Sequence, residues 1–76
     1  MEIKDFIENF AAQFETTDAS ELTADVKFKT LSEWSSLMAL NIIAMVDEEY
    51  DVAIKGKDIR DSETIEDLFN IVKSLK

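Results

Sequence analysis

Residues 33–50 read EWSSLMALNIIAMVDEEY. From Leu37 to Val46 only Asn41 is polar. Ser35 and Ser36 stand just before this run, and a hydroxyl side chain at that place suits a helix N-cap. The stretch therefore predicts a helix from Ser35–Ser36 to about Tyr50. Such a helix is too apolar for the outside of a small bundle, where a single stripe is expected. Either it is central and buried on most sides, or one apolar face is core and another is a docking surface. A helical wheel separates two faces. Ala39, Ile42, Ile43, Val46 and Tyr50 form the better core candidate. Leu37, Leu40, Asn41, Ala44 and then Asp47 or Glu48 form a neighbouring face that begins beside the serines and ends in acid.

The flanks are helical too. The chain has no proline and one glycine, Gly56, so little but capping residues can punctuate it. Ile3, Phe6, Ile7, Phe10, Ala11 and Phe14 make one stripe at helical spacing, and that helix is expected to end near Glu15. Ile65, Leu68, Phe69, Val72 and Leu75 make a second stripe. Thr64 is placed to cap it, with Asp67 three residues on as an acidic capping box, and Lys73 and Lys76 suit its C-terminus. Residues 16–35 read as a long connection with one helical turn near 19–22. Leu22, Val26, Phe28 and Leu31 anchor it to the core. Asp51 to Gly56 reads as a link, and Lys57–Asp61 as a short helix with Ile59 inward. The expected fold is all-α: one domain over 1–76, a small four-helix bundle of three longer helices and one short helix, with a long first loop.

Composition narrows the chemistry. The chain has no cysteine and no histidine, which removes disulfides, thiolate metal sites and the usual general base. A Ser-His-Asp triad is impossible, and no motif places a lysine beside either serine. No catalytic residue is assigned, and the protein is not expected to be an enzyme. Seventeen acids against eight bases give a net charge of −9. That disfavours nucleic acid and favours basic protein partners. Asp47, Glu48, Glu49 and Asp51 cluster where they oppose the helix dipole. They are either a solvated helix end or an acidic recognition patch. The EF-hand pattern is absent and no metal site is assigned. No signal-peptide pattern follows Met1, and the longest apolar run falls short of the roughly 20 residues a membrane span needs. The expectation is a soluble cytoplasmic protein without membrane insertion.

The serines could serve as an N-cap and its neighbour. A hydroxyl exposed at a helix start could also accept a group transferred by another enzyme, which requires a docking surface and no local base. At this point the residues reach a family. The segment FKTLSEWSSLMALNIIAMVDEEYDVAIKGKDIRDSETIEDLFNIV, residues 28–72, resembles the acyl carrier proteins. In that family an Asp-Ser-Leu motif opens the second helix, and its serine carries 4′-phosphopantetheine. SSL at 35–37 stands in that place, so Ser36 corresponds to the modified serine, with Ser35 as the fallback. ELTADVKF (21–28) resembles the loop leading to the motif. DEEYDVAI (47–54) resembles the end of the family's second helix, and SETIEDL (62–68) the start of its last. Ser35 replaces the aspartate that helps orient the transferase, and Asn41 replaces a frequent acid.

The resemblance implies a carrier of acyl thioesters for fatty-acid or a related specialised biosynthesis. Trp34 and the missing aspartate lean toward a dedicated pathway. The 4′-phosphopantetheine, delivered from coenzyme A by a phosphopantetheinyl transferase, would supply the thiol that the chain lacks. Acyl-processing enzymes would present basic patches to Asp47, Glu48 and Glu49, and would meet the face of Leu37, Leu40, Asn41 and Ala44. The family's interhelical space takes up acyl chains, and Met38, Met45, Ala39 and Ala44 suit an adaptable core. A monomer is expected. The alternative is an acidic helical protein–protein interaction module that is never modified.

Overall fold

The first apolar stripe winds into α1 (Ile3–Ala11) and buries Phe6, Phe10 and Ala11. The computed structural model describes residues 2–76. α1 stops four residues before the expected end at Glu15, and the reason is a competing acceptor. In a continued helix the N–H groups of Glu15 and Thr16 would donate to Ala11 and Ala12. They donate to the Glu33 carboxylate instead, at 3.0 and 2.9 Å. The chain tightens first, with Gln13 N–H donating to the Phe10 carbonyl and Phe14 N–H to the Ala11 carbonyl. The turn still leaves Phe14 buried.

The long connection carries two single 3-10 turns, Ala19–Glu21 and Phe28–Thr30. The first lies where a turn was expected; the second was not anticipated. Leu22 and Phe28 are buried and Val26 and Leu31 half-buried, so all four anchor the loop. The loop also completes a helix. The first three N–H groups of α4 (Ile65–Leu75) have no partner within the helix. Ile65 N–H donates to the Val26 carbonyl and Glu66 N–H to that of Ala24. Asp67 N–H donates to Thr64 Oγ1 at 3.1 Å, while the Asp67 carboxylate accepts from Thr64 N–H at 3.1 Å, the expected capping box.

α2 (Ser36–Tyr50) and α3 (Gly56–Arg60) complete the four helices; no strand occurs among the described residues. α3 begins one residue earlier than expected, at Gly56. α1 packs on α2 and α4, and α3 packs on α2 and α4. The core includes an aromatic group in which Phe6 meets Phe69 edge-on at 5.5 Å and Phe10 meets Phe28 at 5.4 Å. Such pairs add to the burial of their own area. The link 51–55 contributes two core residues that its loop reading did not foresee, Val52 and Ile54. Leu75 corrects the last stripe: it is 56% exposed, because it lies in the final turn of α4, beyond Val72, the last buried residue of the helix. No helix among the described residues is long and apolar enough to cross a membrane.

α2 ends on Asp51 in the left-handed region, φ 56°, ψ 40°, with its N–H donating to the Asp47 carbonyl. This position favours glycine or asparagine, and a negative charge here also faces the negative end of the helix dipole. Asp51→Asn is therefore expected to raise stability by about 0.5 kcal/mol. In urea unfolding the midpoint should rise with the slope unchanged.

Candidate functional site

The two serines at the start of α2 hold different positions. Ser35 is extended (φ −158°, ψ 174°), and its Oγ accepts from Met38 N–H at 3.2 Å. Its carbonyl accepts from Ala39 N–H. Ser35 is thus the N-cap. Ser36 is the first residue of the helix. It is exposed, and its hydroxyl makes no hydrogen bond among the described residues. The N–H groups of Ser36 and Leu37 also lack protein acceptors among these residues, and the first turn carries no acid. The free hydroxyl stands at the positive end of α2, where an anionic group is favoured.

Beyond Ser36 the helix divides by face, as the wheel predicts. Leu37 and Leu40 are 67% and 61% exposed, and Ala44, Asp47, Glu48 and Glu49 are exposed with them. Asn41 is half-buried, its Nδ2 lying 3.9 Å from Met38 Sδ. On the opposite side Ile42 and Val46 are buried, while Ala39, Ile43 and Tyr50 are half-buried. Met45 is buried too; it lies off the wheel's core face but among the residues suited to an adaptable core, whereas Ala44, of the same group, is exposed. Tyr50 is held by Asn9, whose Nδ2 donates to the phenolic oxygen at 2.9 Å. Ser36, Leu37, Leu40 and Ala44 therefore share one open surface, with acids at its far end.

No family model, curated protein or solved structure matches the chain. An open apolar groove of about 430 Å³ lies elsewhere, between α1 and the first 3-10 turn, against Ile3, Ile7, Ala19 and Leu22. No residue of α2 lines it. Among the described residues, no three acidic side chains converge where they could share a metal ion.

Sequence reasoning missed Glu33. One carboxylate accepts from Glu15 N–H, Thr16 N–H, the Thr16 hydroxyl at 2.6 Å and the Thr17 hydroxyl at 3.0 Å. The next residue, Trp34, lies edge-on to Phe28 at 4.9 Å and parallel to Phe10 at 6.5 Å. Both residues that lead into the serines are thus tied to the end of α1 or to the core. A loop rich in Thr and a carboxylate some 17 residues later form no periodic pattern, so no local signal marks the pair.

The hydrogen bond from the Thr16 hydroxyl, with those from the Glu15 and Thr16 backbone and the Thr17 hydroxyl, lowers the Glu33 pKa from 4.5 to about 2; partial desolvation opposes the shift. A depressed folded-state pKa adds stability above the unfolded-state pKa. That contribution disappears as pH falls through the folded-state value. The stability difference between the wild type and Glu33→Gln should be constant above about pH 5 and shrink between about 4.5 and 2. Urea unfolding at a series of pH values checks this. Carboxylates common to both proteins cancel in the comparison.

Proposed function

We propose that this protein is an acyl carrier, with Ser36 as the acceptor of 4′-phosphopantetheine. The observation that supports this reading most is the division of labour between the serines. Ser35 caps the helix, while Ser36 remains exposed with an uncommitted hydroxyl. The prosthetic group suits this place. Its phosphodiester would lie beside the unpaired N–H groups of Ser36 and Leu37, with no acid in the first turn to repel it. When attached, the group supplies a thiol for thioester chemistry. The chain's own residues would do the rest of its work by recognition. Leu37, Leu40 and Ala44 offer apolar contact, and Asp47, Glu48 and Glu49 offer charge to a basic partner. The carried group would serve fatty-acid or a related specialised biosynthesis.

The same open face also favours a second reading, an acidic interaction module that is never modified. Intact mass after incubation with coenzyme A, magnesium and a phosphopantetheinyl transferase separates the two. The carrier gains the mass of one phosphopantetheine group. An unchanged mass with several transferases leaves the interaction module.

A further inference from the structure

α2 has a lightly built first turn. Its one side-chain cap is the bond from Met38 N–H to Ser35 Oγ, and Met38 stands where a reciprocal Glu or Gln would complete a capping box. Ser36 and Leu37 are exposed, and Met38 and Ala39 are only half-buried. Burial alone does little to hold this turn. What holds the chain on its approach is the pair of residues before it. Trp34 lies among Phe10, Phe14 and Phe28, and Glu33 closes onto residues 15–17. The Glu33 contacts use both carboxylate oxygens: Oε2 for Glu15 N–H, Oε1 for Thr16 and Thr17. One residue, Trp34, separates this tie from the N-cap, and two separate it from Ser36. A set of donors on one ionised carboxylate is strong and directional. It fixes the path of the chain where the helix itself supplies little restraint.

We propose that Glu33 is a positioning residue for Ser36, a latch between the end of α1 and the start of α2 that holds the acceptor hydroxyl ready for transfer. The role rests on the reading of Ser36 as the acceptor. Glu33 touches neither the hydroxyl nor the exposed face of α2; it acts through Trp34 and Ser35. Glu33→Gln removes the charge and turns one accepting oxygen into an NH2 group, so in either orientation of the amide one backbone N–H, that of Glu15 or of Thr16, would face a donor. Thr16→Val removes one hydroxyl and leaves the carboxylate, and Thr16→Ser keeps that hydroxyl.

The test combines transfer kinetics with amide exchange by NMR on the full chain. With a phosphopantetheinyl transferase and coenzyme A, Glu33→Gln and Thr16→Val should lower kcat about tenfold, the scale of a modest misplacement of a reacting group. KM for the carrier should stay within about twofold, since the face from Leu37 to Glu48 is unaltered. Thr16→Ser should restore kcat. In the same variants Met38 and Ala39 N–H should quicken several-fold more than Leu68 and Val72, which quicken only with the loss of global stability. An unchanged kcat in a protein that is modified overturns the proposal. So does exchange that is unmoved at Met38 and Ala39, or that quickens equally at Leu68 and Val72, which is general loosening. If the wild type accepts no group, the carrier reading fails, and the exchange comparison alone decides whether the latch exists.

Discussion

Ser36→Ala should end the mass gain completely, whereas Ser35→Ala should keep it and lose about 1 kcal/mol of stability. The two hydroxyls are adjacent, but only one is committed. Ser35 Oγ accepts from Met38 N–H, so its removal leaves an orphan donor in the first turn of α2. Ser36 Oγ has no such duty among the described residues, so Ser36→Ala should leave the folded state almost unchanged. The pair therefore separates chemistry from folding: one variant loses modification at full stability, and the other loses stability at full modification. Intact mass and urea unfolding on the same samples read both. If Ser36→Ala still gains the group, the acceptor is Ser35, and its cap must open during transfer. Ser35→Asp gives a further check. Aspartate also caps helices well, so folding should be preserved. On the proposed carrier reading its charge would give a transferase an acid beside Ser36 on which to orient, and transfer should become faster.

Legibility from sequence followed the range of each interaction. The bounds of α2 and the capping box of α4 were readable because their signals are local: hydroxyls before apolar runs, and an acid three residues on. The two faces of α2 were readable because helical geometry ties spacing to direction. Features that depend on distant partners were not. Glu33 ends α1 by taking the N–H groups of Glu15 and Thr16, so the apolar stripe ran past the true end of the helix. Val52 and Ile54 sit in a link, yet each is 4% exposed. Their alternation was the available signal, but with only two positions it was too short to weigh. The left-handed turn at Asp51 had no glycine to announce it.

The largest loss of stability should come from Phe10→Ala, about 3–5 kcal/mol. Phe10 is fully buried, and its ring lies 5.4 Å from Phe28, 5.5 Å from Phe14 and 6.3 Å from Phe6. Rings that brace one another leave a cavity when one is removed, because neighbours held by other contacts cannot collapse into the gap. A domain this size has a total of roughly 4–11 kcal/mol, so the variant should be unfolded or close to it. Leu40→Glu should behave in the opposite way, shifting stability by no more than about 0.5 kcal/mol. Both changes remove a large apolar side chain from a helix, but the Leu40 side chain is already 61% exposed. Little of its area leaves water on folding, so little is lost. Urea unfolding of the two variants beside the wild type tests how α2 is oriented. A loss of several kcal/mol for Leu40→Glu would mean that its face is core and cannot meet a partner. A near-zero change means that an apolar side chain remains on the surface without contributing to the fold. That is the condition a docking face beside Ser36 requires.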